Sequence, residues 1–285
     1  MRGHIEHPHP YPLPSREREK AIINMQFIRL ITQEPSHAFF NMALDESISE
    51  AVRQKTSPPT LRLYGWDRPS LSIGYFQKVS DINLEYCNLK DYPVVRRQTG
   101  GRAILHDAEL TYSFSSSKDS PIFSGSLMEN YTVISNALLH ALKLTGIKAQ
   151  ASFIKKRSDG HRNPACFKTI SFGEITVDNK KVIGSAQKRY KDGFLQHGSI
   201  ILDFNAEELC SVLTGNDRQD FNGMGALRTS LPDISLSGLN STLKKAFEEE
   251  LNVKLISDKP AKHELSRAKE LETIKYSTKK WNFKR

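Results

Sequence analysis

Long apolar runs are absent from this sequence. No stretch approaches the ~18 consecutive apolar residues that a membrane-spanning helix needs, so a spanning protein is excluded. Cysteine is also scarce. The three cysteines, Cys87, Cys166 and Cys210, are an odd number without close spacing, which excludes a disulfide scaffold and a Cys-x-x-Cys zinc site, and no metal site is predicted. Reduced thiols of this kind predict a cytoplasmic protein in which at least one thiol is available for reaction.

Sequence motifs for nucleotides and nucleic acids are missing as well. Neither the P-loop pattern GxxxxGK[ST] nor the dinucleotide pattern GxGxxG occurs. A zinc finger, an aromatic RNA-binding signature and a helix-turn-helix spacing are also lacking, so nucleic acid is not predicted as a partner. Positive charge, in contrast, is plentiful: 41 Lys and Arg against 32 Asp and Glu give a net charge of +9. Such a balance attracts polyanions, which include nucleic acid, anionic lipid and acidic proteins, and nucleic acid is the weaker of these possibilities.

The composition changes along the chain. In His7–Pro14 every second residue is proline, a pattern that neither a helix nor a sheet ladder accommodates, and an all-polar stretch follows. We therefore predict a disordered leader over residues 1–24, a folded domain over 25–255 and a short basic helical extension over 256–285. The 27 residues from Lys259 to Arg285 hold nine Lys and Arg against three Asp and Glu. A solvated basic face is the alternative to a binding role for this extension.

Hydrophobic periodicity predicts strands in clusters, with helices between and after them. That arrangement favours an α+β fold with mixed or antiparallel sheets over regular βαβ repeats. Ser126 and Glu129 form a capping box, and Asp178-Asn179 is typical of a hairpin turn. The predicted strands cover 26–31, 60–64, 70–75, 94–97, 103–105, 109–115, 149–154, 170–177, 181–185 and 194–202, and the predicted helices begin at Ser36 or cover 126–144, 206–213, 239–251 and 263–276.

A diglycine between two basic clusters is the first segment that could carry chemistry. Gly100 and Gly101 follow a predicted strand and have arginines on both sides, at positions 96, 97 and 102. Glycine lets backbone N–H groups approach a ligand closely, and arginine donates charge-assisted hydrogen bonds to phosphate or carboxylate. A β-hairpin turn on the two glycines is the open alternative.

Three more segments combine reactive side chains with small residues. Cys166 follows the basic loop Lys155–Arg157, where positive potential favours a thiolate; an inert buried cysteine is the alternative. Lys181 precedes Gly184-Ser185 and either faces a ligand carbonyl or protects a sheet edge. His197 interrupts an apolar strand, and a hydrogen-bonded core histidine is its simplest interpretation.

Six motifs occur in the order of a known superfamily. They are Phe40–Glu46, Leu63–Trp66, Gly74–Gln77, Arg96–Asp107, Gly184–Gln187 and Gln196–Ser199. From Met25 to Arg285 the chain resembles the biotin/lipoate ligases and lipoyl/octanoyl transferases, and within them the LipM-type octanoyltransferases. The resemblance implies a class II synthetase-like catalytic domain over 25–255 and transfer of an octanoyl group in lipoate biosynthesis.

The resemblance also implies a site. Members of the LipM type carry a cysteine that takes the acyl group as a thioester, and a lysine 15 positions later that lowers its pKa; here these are Cys166 and Lys181. Phe172-Gly173-Glu174 departs from the bulky Trp-Tyr-Glu frequent in the family, and we expect a roomier wall there. The substrate-binding residues that the resemblance implies are Arg97, Thr99, Gly100, Gly101, Arg102, His106, Gly184, Ser185, His197 and Gly198.

Partners and alternatives follow from the same resemblance. The implied donor is octanoyl-acyl carrier protein, and the implied acceptor is a lipoyl-bearing protein, either the H protein of glycine cleavage or an E2 lipoyl domain. No cofactor is expected. The alternatives are an ATP-dependent lipoate–protein ligase, which would need ATP, and an amidotransferase that takes octanoyl from the H protein. A monomer is the default expectation.

Overall fold

The structure is a computed structural model that describes residues 26–123, 125–153, 173–215 and 217–285. The predicted leader over 1–24 lies outside these residues. So do Cys166 and the basic loop Lys155–Arg157 before it. What the sequence predicts for them therefore stays a prediction.

Within the described ranges, eleven strands form two sheets. Eight of them make a mixed sheet in the order β11-β1-β2-β6-β10-β9-β8-β7, in which β1 is parallel to β2 and to β11 and the other pairs are antiparallel. The other three make a small sheet in the order β4-β3-β5. The strands are β1 Phe27–Thr32, β2 Thr60–Tyr64, β3 Ser70–Ile73, β4 Val94–Arg96, β5 Ile104–His106, β6 Glu109–Ser117, β7 Ala149–Ser152, β8 Glu174–Val177, β9 Lys180–Arg189, β10 Gly193–Ile201 and β11 Lys254–Ser257.

Helices cover both faces of the large sheet. Ile28 and Leu30 of β1 pack in one buried cluster with the long helices α3 and α6, whereas Ile31 packs in another cluster with α1. Successive side chains of a strand point to opposite faces, which explains the division. The helices are α1 Ala38–Arg53, α2 Leu84–Leu89, α3 Leu127–Leu144, α4 Ala206–Ser211, α5 Leu227–Ser230, α6 Leu236–Leu251, α7 Lys262–Leu271 and α8 Lys279–Asn282, with 3-10 turns at Val79–Asp81 and Arg218–Phe221 and a π-turn at Glu272–Tyr276.

The predicted α+β class is confirmed, and so are most of the elements. The capping box of α3 forms between Ser126 and Glu129, and Asp178 and Asn179 both adopt positive φ in the turn between β8 and β9. The start of α1 differs from the prediction. His37 is its N-cap residue, because Ser36 is held in a bridge to Trp66 instead.

The C-terminal residues are built into the body. Strand β11 spans the predicted boundary at 255/256 and pairs with β1. Helix α7 then lies against α1, where Glu264 is fully buried and forms an ion pair with Arg29 at 2.5 Å. Further on, Asn282 accepts a hydrogen bond from the backbone N–H of Arg96. After β11 the chain is mostly helical from Lys262 onward, and this part packs against the rest of the described residues.

None of the helices in the described ranges combines the length and the apolar character that crossing a bilayer requires.

Candidate active site

A cavity lies where the two sheets meet. It encloses about 570 Å³ of empty space, including its opening to solvent, and most of its surface is apolar. Its walls come from β9 and β10 of the large sheet, from β3, β5 and the adjoining diglycine loop, and from Met42 of α1.

Most of the site residues predicted from the sequence line this cavity. They are Arg97, Gly101, His106, Lys181, Gly184, Ser185, His197 and Gly198. The remaining described ones lie close by: Thr99 contacts His197, the Gly100 carbonyl contacts Arg97, and Arg102 lines an open cleft on the other side of Gly101. Cys166 is outside the described residues.

The diglycine loop is a crossover, not a hairpin turn. Strands β4 and β5 on its two sides both pair with β3 and not with each other. Gly74 and Gly101 allow the loop to approach β3 closely, since a Cβ atom on Gly74 would stand 1.9 Å from the Gly101 carbonyl oxygen.

Two buried arginines hold the loop in place. The Arg97 guanidinium donates to the carbonyl oxygens of Gly100 at 2.9 Å and of Arg102 at 2.6 Å. That of Arg96 donates to the carbonyls of Gly74 and Gln77 at 2.7 and 2.8 Å. Most of these donors, which the sequence suggested for a ligand anion, bind backbone carbonyls instead, and the arginines shape the loop.

A buried polar chain connects the loop to helix α1. The Thr99 hydroxyl lies 2.6 Å from His197 Nε2, and His197 Nδ1 lies 3.4 Å from the carboxylate of Asp45, which also accepts from Arg62 at 2.6 Å. Burial lowers the pKa of His197, with Asp45 opposing the shift. Burial by itself would raise the pKa of Asp45, but Arg62 and His197 hold it below its usual value.

A second polar chain lies on the other side of the cavity. His106 stacks on Trp66 with ring centroids 3.9 Å apart, contacts Ser72 through Nε2 at 2.7 Å and contacts Glu109 through Nδ1 at 2.8 Å. Glu109 also accepts from Ser199. Although burial acts to raise it, the pKa of Glu109 is lowered, chiefly by His106. His106 is therefore held in one orientation by three neighbours.

Lys181 is buried on β9, and its ammonium contacts the equally buried carboxylate of Glu174 on β8. The sequence reasoning assigned no role to Glu174. The sequence carried a signal for this pairing, because the predicted Asp178-Asn179 turn folds β8 back onto β9. The turn places position 176, two residues from Glu174, opposite position 181. The lysine is therefore one half of an ion pair within the cavity wall.

Gly173, where the sequence predicts a roomier wall, packs against Tyr131. Gly173 has φ +74°, and a Cβ atom there would stand 2.1 Å from the ring of Tyr131. The Tyr131 ring from α3 thus fills the space that the glycine leaves, and its hydroxyl donates to the Ser185 carbonyl at 3.0 Å.

Known proteins are similar to this chain in sequence. The model of the lipoyl protein ligase A/B catalytic domain matches residues 37–248. Octanoyltransferase LipM of Bacillus anthracis is 39% identical over 261 residues, which is 86% of this chain and 94% of that protein. The enzyme of the same name from Brevibacillus brevis is 38% identical over 276 residues, covering 92% of this chain and all of that protein.

Two solved structures extend the likeness to the fold. Lipoate-protein ligase A bound with ATP superimposes with a TM-score of 0.78 at 26% identity, over 91% of this chain and 99% of that one. A bipartite lipoate protein ligase from Thermoplasma acidophilum gives 0.76 at 25% identity, over 90% and 96%. The chain belongs to the family of lipoyl protein ligase A/B catalytic domains.

Proposed function

We propose that this protein is an octanoyltransferase of lipoate biosynthesis, an acyltransferase that moves an octanoyl group to a lysine of a lipoyl-bearing protein. The observation that carries the proposal is the buried Lys181 on the wall of a mostly apolar cavity. The apolar surface suits an alkyl chain, and the ammonium suits the charge that develops on a carbonyl oxygen. Identity of 38–39% over nearly the whole length of two LipM enzymes supports the same assignment.

Cys166 is the proposed nucleophile. Its thiolate attacks the thioester carbonyl of the donor, the bond to the donor sulfur breaks, and the donor leaves as a thiolate, which takes up a proton. The amine of the acceptor lysine then attacks the acyl-enzyme, forms an amide, loses a proton and releases the Cys166 thiolate. The first step exchanges one thioester for another and the second is downhill, so we propose that neither ATP nor another cofactor is needed.

Lys181 is proposed to assist both steps. An ammonium near the sulfur favours the thiolate, and it donates a hydrogen bond to the oxyanion of each tetrahedral intermediate. Glu174 holds the ammonium in the wall, so its position is set before the substrate arrives. Arg97, Thr99, Gly100, Gly101, His106, Gly184, Ser185, His197 and Gly198 are proposed to shape the acyl site, with Arg102 beside it.

An ATP-dependent ligase is the second candidate, because one structural relative was solved with ATP. The two reactions differ in their need for ATP and for a cysteine. We therefore propose to incubate the protein with octanoyl-acyl carrier protein in the absence of ATP and to measure its intact mass.

The expected result is a mass increase of one octanoyl group on the wild type and on Cys210→Ala, and none on Cys166→Ala. Cys210 is the matched control because it lies in α4, away from the cavity lining. Transfer to the acceptor that requires ATP and survives in Cys166→Ala would establish the ligase instead.

Lipoyl-domain acceptors are what the family works on. Among these acceptors we propose either the H protein or an E2 lipoyl domain. As the donor we propose octanoyl-acyl carrier protein. A cytoplasmic monomer is the proposed working form.

A further inference from the structure

An open basic cleft adjoins the cavity. Phe76, Lys78, Arg102 and Arg285 line it, and Asp81 is the one acidic side chain among its described lining residues. Gly101 lines both the cleft and the cavity. The basic cleft and the cavity therefore meet at Gly101.

The cations of the basic cleft have no carboxylate partner. In the ranges that the structure describes, Lys78, Arg102 and Arg285 take part in no ion pair, whereas Arg68 is paired with Asp91. Unpaired cations around a concave surface focus a positive potential, which draws an anionic partner.

An aromatic platform extends the basic cleft. Phe76 is 68% exposed, although it is a large apolar side chain, and the Arg285 guanidinium stands 5.3 Å from its ring. Beside it, the Lys284 ammonium lies 3.6 Å from the Tyr75 ring and 3.7 Å from the Trp281 ring. An exposed aromatic ring among cations is a frequent composition for a protein-binding surface.

The electrostatics of Lys284 agree with an anion site. Partial burial lowers its pKa to about 8, and the neighbouring cations Arg96, Lys275, Arg285 and Lys188 add to the shift. Positive charges are thus crowded here, and a bound anion would relieve their repulsion.

We propose that the basic cleft docks the octanoyl donor, an acidic carrier protein that bears the thioester on a phosphate-containing arm. This rests on the proposed function. The phosphate and the acidic surface of the donor match the cations, Phe76 offers an apolar contact, and the arm reaches the cavity across Gly101.

The test is a charge reversal in the basic cleft, Lys78→Glu with Arg285→Glu. The KM for octanoyl-acyl carrier protein should rise at least about tenfold, since like charges oppose each other across the interface. The kcat for that donor and both constants for octanoyl-pantetheine, which has neither phosphate nor protein, should stay near wild type. Lys148→Glu with Lys259→Glu is the matched control: these lysines are exposed in loops outside the cleft and change the net charge equally.

Direct binding gives a second readout that needs no turnover. A carrier protein with an amide-linked octanoyl group should bind the charge-reversed variant at least about tenfold more weakly than wild type, and Phe76→Ala should also weaken binding. Equal binding by wild type and variant, or a rise in KM for the acceptor alone, would overturn the docking proposal.

The two proposals fail differently. If wild type transfers octanoyl from octanoyl-pantetheine but the variant keeps its KM for the carrier protein, only the docking site is wrong. If wild type transfers octanoyl from no donor without ATP, the proposed function is wrong and the docking proposal with it.

Discussion

The ion pair between Lys181 and Glu174 changes what the lysine can do. An isolated ammonium would contribute a full positive charge to a nearby thiol, whereas a paired one contributes a dipole. Both side chains are almost completely buried. The carboxylate therefore tempers the lysine's electrostatic effect and at the same time fixes its direction.

Opposite shifts are expected from removing the two partners. Lys181→Gln leaves the Glu174 carboxylate and should raise the pH at which Cys166 reacts with iodoacetamide by about 1 unit or more; Glu174→Gln leaves the ammonium and should lower that pH. The measurement is the alkylation rate of Cys166 as a function of pH, followed by peptide mass spectrometry.

Lys180→Gln is the control for this pair of variants, because Lys180 is exposed on the same strand and its side chain points to the other face. Shifts in the same direction for Lys181→Gln and Glu174→Gln would refute the proximity of Lys181 and Cys166.

A second prediction at the scale of single residues concerns Gly173. Gly173→Ala meets two penalties: the positive φ, about 1–2 kcal/mol, and the contact with the Tyr131 ring, about 1–3 kcal/mol. The free energy of unfolding, measured in urea, should fall accordingly. The double variant Gly173→Ala with Tyr131→Ala relieves only the contact, so it should be less destabilised than the two single changes added together. Strict additivity would show that the ring does not fill this space.

At the scale of elements, one acidic side chain, that of Glu264, connects helix α7 to the rest of the domain. Glu264 accepts from Arg29 through both oxygens, from the Ser57 hydroxyl at 2.8 Å and from the Ala261 backbone N–H at 2.7 Å. The helix is thereby connected to strand β1 and to the segment before β2, and a change at this one position affects all three.

Glu264→Gln should therefore destabilise the protein strongly. Removing one partner of a buried ion pair costs about 3–5 kcal/mol, because the charge of Arg29 stays buried. Glu270→Gln on the same helix removes an exposed partner of Arg267, and about 0–1 kcal/mol is expected. Urea unfolding of both variants checks the contrast; similar losses would mean that α7 contributes little to the body.

The strands and helices are easier to predict from the sequence than the residues that they contact in the fold. Strands β2 and β6 alternate clearly in the sequence, and the capping box of α3 is a local signal, so both were found. The pairing of Glu264 with Arg29, 235 residues apart, has no local signal at all. In the site, glycines and charged residues identified the walls, but the sequence suggested that Arg97 donates to a ligand, because it does not show which carbonyls lie near.

For the whole molecule, the buried His197 makes stability depend on pH. Its folded pKa is lowered by burial, so the unfolded chain takes up a proton first as the pH falls through about 6.5. The stability from this residue is complete above that pH and is lost below it. The contributions of Asp45 and Glu109, whose pKa values are lowered, are lost only in more acidic solution, below about pH 4.

Urea unfolding between pH 7.5 and 5.5 should thus show a falling free energy of unfolding for the wild type and a flatter dependence for His197→Asn. The variant is expected to be less stable at every pH, so the slope is the readout. Equal slopes would place the pH dependence on other groups.

The position of β11 has a consequence for synthesis on the ribosome. β1, the first strand described, pairs on its outer side with β11, and its Arg29 forms an ion pair with Glu264, which is synthesised much later. At about 5–20 residues per second, roughly 10–45 s pass between the emergence of β1 and that of its partner. During that time an unpaired strand edge is exposed. Nascent chains that stop before Lys254 should therefore aggregate more readily than full-length ones.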